Sequence, residues 1–442
     1  MSKLLIKNGR LIDPANARDG RFDLLIDRGK IADVQPSIPA TPSTPLRVTS
    51  RAESRDANGT NVIDAAGKLI LPGFIDLHTH LRQPGREDKE TIETGVRAAA
   101  RGGFTTVCAM PNTDPPMDER SQVDFIYGEA RRIGGVAVRP IGAITRGRQG
   151  LELTDFGELF EAGCIALSDD GNAVSDARLM RRALEYATVF RRPLIQHAED
   201  AQLASGGVMH EGLVATTLGL RGIPAEAESV MVARDLALAE LTGGWIHFAH
   251  LSCAQSVELI RQAKRRGVHV TCEVTPHHLA LTQEAVGTFD TRAKVNPPLR
   301  TETDRLALIE GLRDGTIDCI ATDHAPHTDW EKDADFDSAP FGISGLETAL
   351  GVCVRTLVQP KLLTWAQIVE KLSVNPAAIA GITGGTLAPG ADANVTLVDP
   401  EASWTVDPAQ FASKGKHTPF AGWTLPSAVT QVLVLGEAVF PS

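Results

Sequence analysis

From residue 71 to about residue 322, short β-branched runs alternate with amphipathic helical stretches, and this alternation constrains the fold more than any other feature. Strand-like runs fall at 73–78, 105–110, 137–144, 164–168, 193–197, 245–250, 268–274 and 318–322. Helical patterns separate them at 92–101, 121–133, 177–190, 229–241, 256–266 and 304–312, and two more, 346–357 and 365–372, follow the last strand. Several of these stretches end on glycine, at 102–103, 134–135, 243–244 and 267, as helices closed by a left-handed residue do. Parallel strands need helical crossovers of this kind. About eight such units match an α/β fold of the (β/α)8 barrel type, which ordinarily takes ~250 residues plus insertions. A doubly wound open sheet is the alternative, but no Gly-x-Gly-x-x-Gly opens any helix, which counts against its dinucleotide-binding version.

The two ends of the chain read differently. Short β-rich runs at 4–6, 11–12, 23–26 and 31–34 are punctuated by Asn8-Gly9 and Gly29, as in a small antiparallel sheet that resumes at 62–64. Residues 36–60 are rich in Pro, Ser, Thr, Arg and Ala without periodicity and read as an exposed, flexible insertion. After Gly384-Gly385 a strand follows Gly390, and 429–435 with 437–440 form a hairpin pattern around Gly436. The expected organisation is a β-sandwich built from 1–70 and 385–442, with the barrel, 71–384, inserted between them. A net charge of −11 gives no footprint for nucleic acid. No run is long enough to span a bilayer, and the first residues lack a signal-peptide layout. The six cysteines are scattered without a CxxC spacing and read as reduced core residues of a cytoplasmic protein.

In a barrel, chemistry gathers at the C-terminal ends of the strands. Those ends carry His78 and His80 after the first strand, Asp169-Asp170 after the fourth, His197 and His250 after the fifth and sixth, and Asp323 after the eighth. Each has an ordinary structural explanation taken alone: a hydrogen-bonded polar pair, a satisfied core histidine, a helix cap. Together, four histidines and at least two aspartates at one mouth are the inventory of a two-metal hydrolytic site, and zinc suits such nitrogen and oxygen ligands. His247, three residues before His250, faces the other way in a strand and reads as structural. Strand parity leaves Asp169 and Asp170 undecided, because neighbours point oppositely.

The motifs Asp-Leu-His-Thr-His-Leu-Arg-Gln-Pro-Gly (76–85), Ala-Met-Pro-Asn-Thr (109–113), Ser-Asp-Asp-Gly (168–171), His-Ala-Glu (197–199), Ala-His-Leu-Ser (249–252), Glu-Val-Thr-Pro-His-His-Leu (273–279), Asn-Pro-Pro-Leu-Arg (296–300) and Ala-Thr-Asp-His-Ala-Pro-His (321–327) resemble those of dihydroorotases. The resemblance is to the bacterial type I enzymes of the amidohydrolase superfamily, and it omits mainly 36–60. It implies that His78, His80 and Asp323 hold one metal ion, His197 and His250 the other, and that Asp170 bridges them, with two zinc ions per chain. Some relatives bridge with a carboxylated lysine instead. No lysine ends the fourth strand here, and Lys294 lies too far along. The resemblance also implies that Arg82, Asn112 and His327 surround a substrate carboxylate and that Asn296 lines the same pocket. Gln83 stands where the family usually has Glu, outside the expected ligand set.

The activity so implied is reversible hydrolysis of L-dihydroorotate to N-carbamoyl-L-aspartate, the third step of pyrimidine biosynthesis, with Asp323 as general acid and base. A homodimer and association with aspartate transcarbamoylase are compatible with it. Two competing readings share the barrel. A hydantoinase, dihydropyrimidinase or allantoinase would lack the need for Arg82 and for a bridging Asp. A catalytically dead barrel serving as a structural partner of aspartate transcarbamoylase would have lost ligands, and none is missing.

Overall fold

The structure is a computed structural model, and it describes residues 3–38, 53–55 and 60–441. Eight parallel strands form the barrel: Phe74–Thr79, Phe104–Ala109, Ala137–Pro140, Leu167–Ser168, Leu194–Gln196, Ile246–Phe248, Val270–Val274 and Cys319–Ile320. The first three pair in one sheet and the last five in another. Two parallel bridges join the sheets, Gly142 to Leu167 and Thr79 to His324, so the strands close on themselves. The His80 N–H donates to the His324 carbonyl at 2.8 Å and fastens the second seam. The first crossover helix, Ile92–Gly102, shows why the alternation was readable. Thr91 and Thr94 cap its start reciprocally, and Gly103 ends it at φ 92°. Several strands are shorter than the sequence pattern suggests, the fourth and eighth covering two residues each. The apolar runs extend into loops that stay buried without ladder pairing.

Both chain ends build the second unit. One sheet holds five strands drawn from 4–7, 23–27, 30–35, 53–55 and 61–64. The other holds six: Arg10–Asp13, Arg18–Arg21 and Leu69–Pro72 from the N-terminal part, and Val395–Thr405, Thr424–Val434 and Glu437–Phe440 from the C-terminal part. The two parts meet where Leu69–Pro72 runs antiparallel to residues 395–398. Ile6, Leu11, Leu24, Ile70, Val395 and Leu433 form a buried core of this sandwich. Most of the insertion expected at 36–60 lies outside the described residues; within it, Glu53–Arg55 pairs antiparallel with Asn61–Asp64. Between the fifth strand and its helix the chain adds a two-strand ladder, Met209–His210 with Gly222–Ile223, and the helix Leu213–Leu218. These elements are too short for hydrophobic periodicity to reveal. All six cysteines are buried and unpaired.

Candidate metal centre

Four histidines and two aspartates converge at the C-terminal mouth. Asp170 Oδ1 lies 3.3 Å from His78 Nε2, 3.6 Å from His250 Nε2 and 3.9 Å from His197 Nδ1, while Asp170 Oδ2 lies 3.5 Å from His80 Nε2. Asp323 Oδ1 is 3.0 Å from His80 Nε2 and 3.5 Å from His78 Nε2. The facing nitrogens of His197 and His250 are 3.0 Å apart. Asp170 thus stands between two groups of ligand atoms. Its neighbour Asp169 turns away: its carboxylate accepts from the Ile144 and Thr145 N–H groups at 2.9 and 3.0 Å and from the Thr145 hydroxyl. The alternative that parity left open is decided by these backbone donors.

His78 Nε2 and Asp170 Oδ1 are buried with no hydrogen-bond partner, despite their 3.3 Å approach. Buried polar atoms left unpaired cost of order 1–3 kcal/mol each. A cation held between them relieves that cost, so the donor set fits a divalent metal. The field agrees. Burial alone would lower the His78 imidazole, yet the Asp170 and Asp323 charges carry it well above its ordinary value. Burial would raise Asp170, yet His78, His250 and His80 hold it well below the carboxylate range.

Further residues aim the ligands. Glu273 Oε1 sits 2.8 Å from His78 Nδ1, and burial of this carboxyl is outweighed by hydrogen bonds from His247 and His78 that bring it to about 2. His78 Nδ1 therefore carries a proton and donates in either charge state, and a cation in the site would meet the lone pair that Nε2 offers on giving up its own proton. Asn112 Oδ1, an acceptor, does the same for His80 through its Nδ1 at 2.8 Å. Glu273 was quoted in a motif but given no role by sequence reasoning; a lone carboxylate inside the buried run Val270–Val274 was its only signal. Arg148, also missed, donates to the carbonyls of Asp169 (3.3 Å) and Asp170 and pins the turn that carries the Asp170 carboxylate.

A cavity of about 330 Å³ opens above the cluster. Nine of the ten residues singled out from the sequence line it: His80, Arg82, Asn112, Asp170, His197, His250, Asn296, Asp323 and His327. His78 lies beneath, fully buried. Arg82 reaches the cavity from a loop rather than from a strand. The strand ends at Thr79, and Arg82 adopts φ 59° in the loop beyond it. Burial lowers its guanidinium to about 10. Its Nε donates to the Pro326 carbonyl at 3.2 Å, and no carboxylate pairs with it among the described residues. His327 is held neutral, at about 2, by burial and by the Arg82 and Lys89 charges. Lys89 Nζ lies 3.1 Å from its Nδ1, so the proton sits on Nε2, 2.8 Å from the Phe341 carbonyl. Asn296 Nδ2 approaches His197 Nε2 at 3.5 Å. Lys294 points elsewhere, donating to the Phe336 and Asp337 carbonyls at 2.6 and 3.1 Å.

A dihydro-orotase-like family profile matches residues 67–256. The dihydroorotase of Pelotomaculum thermopropionicum is 53% identical over 437 residues, 99% of this chain and 98% of that one. The dihydroorotase of Syntrophus aciditrophicus is 50% identical over 438 residues, 99% of both chains. Among solved structures, the L-hydantoinase (dihydropyrimidinase) from Arthrobacter aurescens superposes with a TM-score of 0.83 at 25% identity, over 99% of this chain and 96% of that one. The dihydropyrimidinase from Brevibacillus agri shares the fold with a TM-score of 0.79 at 23% identity, over 99% and 95% of the two chains.

Proposed function

The chain belongs to the dihydroorotase family, and on that premise we propose how its residues divide the work of the reaction. The protein is a metal-dependent cyclic-amide hydrolase that interconverts L-dihydroorotate and N-carbamoyl-L-aspartate in pyrimidine biosynthesis. The observation that carries the substrate assignment is Arg82. A largely desolvated guanidinium lining the cavity, with no carboxylate paired to it among the described residues, calls for an anionic ligand, and a bidentate carboxylate fits its fork. Hydantoin and dihydrouracil carry no carboxylate, so the hydantoinase-like fold by itself does not account for this cation.

In this reading His78, His80 and Asp323 would hold one zinc ion, His197 and His250 a second, and Asp170 would serve both; the unpaired His78 Nε2 and Asp170 Oδ1 support it. Such ions supply Lewis acidity and acidify a water towards neutrality. Asp323 keeps Oδ1 turned to the histidines, and its Oδ2 takes the proton of the attacking water and delivers it to the departing ring nitrogen. Its low proton affinity comes from His78 and His80, which outweigh burial, so the carboxylate is ionised and ready to accept. Arg82 binds the substrate carboxylate, Asn112 and His327 flank it, and Asn296 lines the ring. In the reverse direction the same atoms act in the opposite order and close the ring.

We further propose membership of the bacterial type I branch, which the motif set supports, a cytoplasmic location, which the unpaired buried cysteines favour, and a division into 1–70, 71–384 and 385–442. No helix among the described residues is long and apolar enough to cross a membrane. Size-exclusion chromatography with and without aspartate transcarbamoylase tests a homodimer and that association. The deciding assay offers dihydroorotate, dihydrouracil and hydantoin to one purified sample whose metal content is measured. Preference for dihydroorotate with about two ions per chain is expected; preference for a neutral ring overturns the assignment.

A further inference from the structure

Trp245 stands at the N-terminal end of the sixth strand, at the opposite end of the barrel from the metal ligands. A string of hydrogen bonds connects it to them. Trp245 Nε1 donates to Thr271 Oγ1 at 3.0 Å, and Thr271 Oγ1 lies 2.9 Å from His247 Nδ1. His247 Nε2 lies 3.2 Å from Glu273 Oε2, and Glu273 Oε1 lies 2.8 Å from His78 Nδ1. The register explains the alignment: His247 sits opposite Thr271 in the parallel ladder, and Thr271 and Glu273, two apart, share a face of the seventh strand.

The chemistry of the two ends gives the string a direction. An indole N–H can only donate, and an ionised carboxylate can only accept. The Thr271 oxygen receives the Trp245 proton and gives its own to His247 Nδ1. His247 then carries its proton on Nε2 and donates it to Glu273. The second Glu273 oxygen accepts from His78 Nδ1, so Nε2 is the nitrogen that His78 turns towards Asp170 and Asp323 and would offer to a cation there. The opposite tautomer of His247 would set a lone pair against the carboxylate at 3.2 Å. His247, Glu273 and Cys319 also lie close enough together to suggest a metal site. Both oxygens of Glu273 and both nitrogens of His247 are already engaged, unlike the unpaired atoms at the mouth.

We propose that Trp245, Thr271 and His247 are positioning residues for the metal centre, fixing Glu273 so that His78 offers Nε2 as a ligand. The proposal rests on the metal reading above, but not on the identity of the substrate. It is tested on the full-length protein with Thr271→Val, Thr271→Ser and Trp245→Phe. Two readouts need no substrate: zinc affinity by competition with a chelator, and long-range ¹⁵N–¹H spectra that report histidine tautomers. Wild type should show His247 protonated on Nε2. Thr271→Val should lose roughly tenfold in zinc affinity, at the low end of the 10–100-fold typical for groups that orient metal ligands. Thr271→Ser, which keeps the hydroxyl, should behave as wild type. Trp245→Phe should shift the His247 tautomer towards a mixture, and it serves as the test should Thr271→Val fail to fold. A His247 protonated on Nδ1 in wild type, or wild-type zinc affinity in Thr271→Val, overturns the proposal. A wild-type protein that gives these results but does not hydrolyse dihydroorotate would instead count against the substrate assignment.

Discussion

Arg82→Met separates a dihydroorotase from its neutral-substrate relatives. Burial takes the guanidinium from 12.5 to about 10, which at ~1.4 kcal/mol per unit is roughly 3 kcal/mol of unrelieved desolvation. A substrate carboxylate entering the cavity offsets that cost and adds a bidentate ion pair. Truncating one partner of such a buried pair costs on the order of 2–5 kcal/mol. At about 1.4 kcal/mol per decade, the variant should lose roughly 10²–10³-fold in kcat/KM for dihydroorotate. The zinc content should not change, because the guanidinium contacts the Pro326 carbonyl and the His327 ring and none of the ligand atoms. Dihydrouracil lacks the carboxylate, so any turnover of it should be nearly unaffected. The assay follows ring opening of both substrates by wild type and variant at matched metal content. Normal hydrolysis of dihydroorotate by Arg82→Met would refute the reasoning, and so would an equal loss on both substrates.

Three further outcomes follow from the same geometry. Replacing His78 and His80 together by Ala should abolish bound metal and activity while circular dichroism reports a folded barrel; retention of metal would show that the ligands are wrongly assigned. Lys89→Met removes the donor to His327 Nδ1 and should raise KM for dihydroorotate roughly three- to tenfold, the worth of about one hydrogen bond, with kcat little changed; a kcat effect alone would count against it. His277 is held at about 4 by burial, below the ordinary 6.5, so the folded state prefers its neutral form. The stability it contributes is intact above pH 6.5 and falls as pH drops towards 4, by ~3 kcal/mol in all, of which ~2 kcal/mol is lost by pH 5. Urea midpoints of the metal-free protein at pH 7 and 5 should show this loss, and His277→Gln should flatten it.

The barrel was legible because its strands and helices impose different periods on the apolar residues, and because capping chemistry marks the helix ends, as at Thr91 and Gly103. The candidate metal ligands were legible because six residues of ligand type fall at the ends of five strands. What stayed hidden depends on partners far apart in the chain. Asp169 and Asp170 differ only in which of them meets the Ile144 and Thr145 N–H groups. Glu273 gains its role from His78, and Arg148 from the Asp170 carbonyl, each through a contact between separate barrel units. Local pattern carries no information about such pairs.

The same separation explains the backbone of the site. Arg82, His250 and Asp323 all sit just beyond a strand end with φ of 59°, 31° and 47°, a region that costs a non-glycine residue of order 1–3 kcal/mol. A strand continued in the extended form would send alternate side chains out of the mouth, so the turn is what aims these three inward. Surrounding polar anchors offset the strain. Asp76 accepts from the Thr322 N–H at 3.1 Å and its hydroxyl at 2.6 Å, immediately before Asp323. Glu228 accepts from the Ser252 N–H at 3.0 Å and the Cys253 N–H at 3.4 Å, just after His250. The Arg86 N–H bonds the Arg82 carbonyl at 3.0 Å. Two of these anchors are themselves buried carboxylates, 0% and 4% exposed, that touch no ligand atom. Acidic residues in this barrel therefore serve two separable ends: Asp170 and Asp323 face the histidine cluster, while Asp76 and Glu228 hold the backbone that presents it.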